Sequence, residues 1–143
     1  MRVGALIIDD RGLLLVRQCR LDRTYWLLPG GGVRFGESLA DALRRELREE
    51  LALDVVPGRP LAVAEAISPD MTAYPKHVVH VILEATVAEP AAVARPSDDA
   101  ILEIRYVARD EVAGLELTPP IAPFLERCFE APPRDVSYLG VVW

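Results

Sequence analysis

The chain has 143 residues, 51% hydrophobic and 27% charged, with a formal net charge of -6. That length fits one domain, residues 1–143, with enough apolar residues to bury a sizeable core. The acidity disfavours a nucleic-acid polymer or an anionic membrane surface as partner, because both call for a basic patch. A small anionic substrate stays open, since metal ions can bridge acid to acid.

In chain order, VGALII and LLLVRQ flank DDRG. Two β-prone runs around a turn predict a hairpin. YWLL predicts a further strand, and PGGG is expected to interrupt regular structure. Ser38 predicts a helix start, with Asp41 at the capping-box position, and the helix runs through Leu51. VVPGRP is expected to break the chain; LAVAEAI and HVVHVILEATV follow as strands and EPAAVARPSDD as a loop. ILEIRYV predicts a strand, RDEVAGL a short helix, IAPFLERCFE a helix and VSYLGVVW a last strand. The order predicts an α/β protein, a mixed sheet with helices on its faces.

Cys19 and Cys128 are the two cysteines, too few for a disulfide framework, which predicts free thiols in a reducing compartment. The start RVGALII lacks the features of a signal peptide, and no run approaches the roughly 18 apolar residues of a membrane helix. The expectation is a soluble cytoplasmic protein.

The segment RELREEL, residues 45–51, packs three glutamates and two arginines into the predicted helix. At roughly 100° per residue, Leu43, Leu47, Ala40 and Leu51 share one sector that faces the sheet. Glu46, Glu49 and Glu50 share another, with Arg45 at its edge and four residues before Glu49. Clustered like charges destabilise a helix unless something neutralises them, and a divalent cation with oxygen ligands would do so. RELREEL alone reads first as a solvated mixed-charge helix face.

The residues before it tip the balance. Gly31, Glu37, Arg45, Glu46, Leu47, Glu49, Glu50 and Leu53 are spaced as in the Nudix hydrolase box, and WLLPGG resembles the usual entry to it. The match spans residues 31–53 and departs at one place, Ala52, where the family has glycine. Glycine after a helix commonly takes the left-handed conformation, which costs alanine about 1–2 kcal/mol. The resemblance to this MutT-like family implies an α/β/α sandwich that hydrolyses a nucleoside diphosphate linked to another moiety, with Mg2+ or Mn2+. It implies Glu46, Glu49 and Arg45 as the catalytic set, with Arg45 orienting the carboxylates. Glu49, Glu50 and the Gly30 carbonyl would be metal ligands, and Glu46 a further ligand or the base. Gly31 belongs to the loop that approaches phosphate, and Glu37 would brace that loop against the helix.

Relatives often use one more late acid, for which Glu84, Asp99 and Glu103 are candidates. Glu103 is favoured by its place in LEIRYV, and a solvent-facing acid is the alternative for each. Arg20, Arg23 and Arg34 lie around the glycine loop as candidate phosphate contacts, against a reading as surface arginines. Alternation places His80, Ile82 and Glu84 on one strand face, in a pocket or simply half-exposed; His77 and His80 lack metal-ligand spacing. Trp26 is read as core or as a base-stacking ring, and Tyr74 as within reach of a base. Pro69 lies near where ADP-ribose-acting relatives tend to carry a proline, and a (d)NTP substrate fits the length equally well. A catalytically silent nucleotide-sensing domain is the alternative, opposed by the three glutamates all being present. Messenger-RNA decapping finds no basic stripe to support it. VSYLGVVW offers an apolar edge for a homodimer.

Overall fold

The computed structural model describes residues 1–20, 22–67 and 77–142. Nine strands and three helices are defined among them: β1 (Arg2–Leu6), β2 (Ile8–Asp9), β3 (Gly12–Arg20), β4 (Arg23–Leu27), β5 (Gly30–Gly32), α1 (Leu39–Leu51), β6 (Val55–Ile67), β7 (His77–Val87), β8 (Ile101–Val107), α2 (Arg109–Val112), α3 (Ala122–Cys128) and β9 (Ser137–Val141). One sheet runs β5-β1-β7-β6-β9. It is mixed: β1–β7 and β6–β9 are parallel, β1–β5 and β6–β7 antiparallel. In the second, antiparallel sheet β3 pairs with β2, β4 and β8.

Strand alternation splits the apolar residues between two cores. Val3, Ala5, Leu14, Val16, Val81 and Leu83 pack with Ala42, Leu43, Leu47 and Leu51 of α1. Leu6, Leu13, Leu15 and Ile82 pack with Val112 of α2 and with Phe124 and Leu125 of α3. The strands thus form the middle of an α/β/α sandwich, as expected.

Three local expectations need correcting. The hairpin around DDRG exists only at its tip, where Ile8 and Asp9 pair with Leu13 and Gly12. VGALII itself runs into the other sheet, since β1 finds its partners in β5 and β7. PGGG does not end regular structure: Gly30–Gly32 pair with Gly4–Arg2. VVPGRP does not break β6; the strand continues through register shifts at Pro57 and Pro60, which lack the N–H a ladder needs.

Ser38 caps α1 in extended conformation, its Oγ accepting from the Asp41 N–H at 3.1 Å. The Asp41 carboxylate accepts the Ser38 hydroxyl at Oδ2, 2.7 Å, in place of the Ser38 N–H that a capping box uses. At the other end Ala52 adopts φ 50°, ψ 37°, the left-handed cap. Its N–H donates to the Arg48 carbonyl at 3.1 Å, and the Leu53 N–H to the Leu47 carbonyl at 3.2 Å. The carbonyls of Glu50 and Leu51 are met from the proline-rich loop, by the N–H groups of Ser97 and Arg95, each at 2.8 Å. The exit of α1 is therefore fixed by tertiary contacts as well as by its own cap.

Candidate active site

The β5 turn lies against the acidic face of α1. Gly30 spans the two cores: its N–H donates to Glu50 Oε2 at 3.3 Å, and its carbonyl accepts from Arg2 Nη2 at 3.0 Å. Its φ of 140° and the Val3 carbonyl, 2.2 Å from where a Cβ would stand, leave room only for glycine. At Gly31 a Cβ would stand 2.2 Å from the Glu46 carboxylate, so backbone and acid approach as closely as glycine allows.

The three glutamates of the helix have different environments. Among the described residues Glu50 is the one charged side chain in the core, 8% exposed. Burial pushes its carboxyl up to about 7, helped by the Glu46 and Asp98 charges and opposed by the Gly30 N–H and Arg2. Glu46 is largely shielded, and Glu49 is half exposed at 50%. Arg45 ties the group together. Its Nη1 donates to Glu46 Oε1 at 2.6 Å and Glu49 Oε2 at 3.2 Å. Its Nε and Nη2 each donate to Glu37 at 2.8 Å, and Nη2 also to the Gly32 carbonyl at 2.9 Å. Arg45 and the Arg34 N–H hold the Glu37 carboxyl down to about 2. Arg34 Nη2 reaches Glu49 Oε1 at 3.4 Å.

The other sequence candidates fall elsewhere. Arg23 pairs with Glu116 at 2.7 Å, at the end of β4 remote from the glycine turn. Glu103 pairs with Arg17 at 3.3 Å, and alternation with Ile104, which packs in the α1 core, turns it to the opposite face. Asp98, whose charge acts on Glu50, is the late acid near the helix. Glu84 lies 3.9 Å from Arg59, and Asp99 is exposed. Trp26 is in the α3-side core with Arg17 above its ring. His77 pairs with Glu65 at 2.8 Å, and His80, Arg2, Gly30 and Ile82 line a small cavity behind the glycine turn. The Arg20 side chain, Pro69 and Tyr74 lie outside the described residues.

Sequence reasoning missed Arg2 and Asp98. Arg2 opens an apolar strand and carries no local signal; only the pairing of β1 with β5 brings it to Gly30. Asp98 is the neighbour of a residue that was considered, and its relation to Glu50 exists only after the loop folds onto the end of α1.

A mixed sheet between helical layers, with an acid-rich helix docked on a glycine turn, defines the Nudix class of fold. The chain belongs to the NUDIX domain family, which matches residues 1–128. The MutT protein from Methanosarcina mazei Go1 is similar over 90% of this chain and 91% of its own, at 25% identity and a TM-score of 0.72. A NUDIX hydrolase from Nitrosomonas europaea shares the fold at 21% identity, with a TM-score of 0.74 over 91% of this chain and 87% of its own. The RNA pyrophosphohydrolase of Ruthia magnifica subsp. Calyptogena magnifica is 49% identical over 51 residues, 36% of this chain and 28% of that protein. The nucleoside triphosphatase NudI of Enterobacter sp. (strain 638) is 39% identical over 67 residues, 43% of this chain and 48% of that protein. The matched stretch thus spans less than half the length of either curated relative.

Proposed function

We propose that the chain is a pyrophosphohydrolase, splitting a phosphoanhydride in a small nucleotide: ADP-ribose, a nucleotide sugar or a (d)NTP. The observation that carries this is Glu50, a carboxylate kept in the core beside Gly30, with Glu46 and Glu49 one helical turn or less away. A buried carboxyl raised to about 7 is poised to exchange its proton for a cation.

An all-oxygen donor set of Glu46, Glu49 and Glu50 suits Mg2+ or Mn2+, and the Gly30 carbonyl would join it only by giving up the bond it accepts from Arg2 Nη2. Among the described residues no three acidic, histidine or cysteine side chains stand close enough to grip an ion as placed. Arg45 holds Glu46 and Glu49, so loading requires Glu49, the half-exposed one, to change rotamer. When bound, such an ion neutralises polyphosphate charge and lowers the pKa of a water. The chain's own work is then positional. Arg45 orients the carboxylates, Glu37 fixes Arg45 to the glycine loop, and Arg34, now beside Glu49, would meet a phosphate oxygen. Glu46 or a neighbouring carboxylate takes the proton of the attacking water. The new P–O bond forms as the bridging P–O bond breaks, and the second phosphate leaves with the bridging oxygen.

The names of the two curated relatives support nucleoside triphosphates and RNA as substrates to include. ADP-ribose, nucleotide sugars, (d)NTPs and 5′-triphosphorylated oligonucleotides should be offered with Mg2+ or Mn2+, and the products identified. Turnover of a small nucleotide, abolished by chelation and cut by orders of magnitude in Glu50→Gln, is expected. Saturable nucleotide binding without any product would overturn the reading in favour of a silent sensing domain. Among the described residues no helix is long and apolar enough to cross a membrane. We take residues 1–143 as one domain acting in the cytoplasm, with the β9 edge available to a second copy.

A further inference from the structure

Phe35 is fully exposed, the most exposed large apolar side chain among the described residues. Solvated aromatic rings are unremarkable on mobile loops; this one sits on a pinned turn. The Glu37 N–H donates to the Arg34 carbonyl at 3.2 Å, and the Arg34 N–H to Glu37 Oε2 at 3.0 Å. Gly36 supplies the positive φ, 77°, that a type II turn needs at its third residue. Glu37 is clamped by Arg45, the Val33 N–H donates to the Met1 carbonyl at 3.2 Å, and the Arg34 side chain reaches Glu49. Val33, Arg34 and Glu37 are thus tied to the acidic site or its strand, and Phe35 is the second residue of the turn they hold. A Cβ built at Gly36 meets nothing within 4 Å beyond its chain neighbours, so the turn itself stands in open space.

We propose that Phe35 is a specificity-determining residue, the platform on which the base of the nucleotide substrate stacks. The inference rests on the hydrolase reading above. The neighbouring Arg34 guanidinium pairs with Glu49 at the exposed edge of the site, where a polyphosphate would enter. Arg34 and Phe35 are the first two residues of one turn, so a nucleotide whose phosphates met Arg34 would have its base within reach of that turn. Every base has a π-face, so one ring at this point selects for a nucleobase without selecting among bases. Its prior fixation by the turn means little ordering is left to oppose stacking.

The test compares wild type, Phe35→Ala and Phe35→Trp on a nucleotide the wild type hydrolyses, with 5-phosphoribosyl diphosphate as the base-free probe. In Phe35→Ala the KM for the nucleotide is expected to rise roughly tenfold, by more than kcat falls. Competitive inhibition by the base-free probe should be unmoved. Phe35→Trp is expected to restore KM, and its added indole fluorescence to be quenched by a nucleoside monophosphate and not by ribose 5-phosphate. Unchanged KM in Phe35→Ala, or an indole indifferent to nucleoside monophosphate, overturns the proposal. A changed sedimentation coefficient in Phe35→Ala with the wild-type KM also overturns it, and gives the ring to a second copy of the chain. If the wild type hydrolyses nothing, the hydrolase reading fails separately, and the fluorescence arm still decides the stacking.

Discussion

At Gly30 a Cβ would stand 2.2 Å from the Val3 carbonyl oxygen, and at Gly31 the same distance from the Glu46 carboxylate. The two neighbours differ in what can yield. Backbone cannot move cheaply, and Gly30 also has φ 140°, so Gly30→Ala is expected to destabilise the fold by about 2–3 kcal/mol. A carboxylate at the end of a flexible side chain can swing away. Gly31→Ala should therefore keep its melting temperature and lose roughly 100-fold in turnover, the cost of a misplaced catalytic group. Thermal melts and single-substrate kinetics on both variants check the contrast. Glu50 makes a second residue-level prediction. Its ordinary pKa of 4.5 is raised to about 7 by burial, so the folded state holds a proton that the unfolded state releases. That contribution is fully present below pH 4.5 and is lost as pH rises through 7. Without divalent ions, the wild type should lose stability between pH 5 and pH 8, on the order of 3 kcal/mol from this group. Glu50→Gln, which keeps an acceptor for the Gly30 N–H, should flatten that part of the profile in urea titrations.

At the scale of elements, α1 ends on an alanine in the left-handed region. Replacing Ala52 with glycine should raise stability by about 1 kcal/mol, seen as a higher urea midpoint with an unchanged slope. An unchanged midpoint would mean that the Arg95 and Ser97 N–H groups alone determine the exit. The helix itself was legible in the sequence because its signals are local: a serine cap and an apolar stripe of 3.6 period. The strands were legible where β-branched and apolar runs are continuous, as in HVVHVILEATV. They were misjudged where pairing is non-local. Three glycines form β5 because β1 is there to receive them, and β6 passes two prolines because β7 holds both ends of the irregularity. Propensity cannot supply a partner that lies far along the chain.

For the molecule as a whole, ligation and folding share one equilibrium. An ion that binds only the folded chain raises its melting temperature, and Glu50 must give up its proton to bind one. The stabilisation by saturating Mn2+ is therefore expected to be small at pH 6 and larger at pH 8, and to vanish in Glu50→Gln. A pH-independent shift would place the ion elsewhere. The spacing of glutamates along one helix made the acidic wall readable in advance, including the Arg45–Glu49 pair. Tertiary folding adds what spacing does not encode: Arg45 also holds Glu37 and Glu46, Arg2 reaches Gly30, and Asp98 takes the place near Glu50 that Glu103 does not. Arg23 pairs with Glu116 at the far end of β4, since proximity in sequence to a turn does not decide which way a strand end points.

The amides of Arg95 and Ser97 close the last carbonyls of α1, at Leu51 and Glu50. A proline-rich stretch with little regular structure therefore works as a splint on the most chemically demanding helix. Lengthening or cross-linking that loop from the outside would tilt the carboxylates without touching them, a remote adjustment screw for the chemistry within.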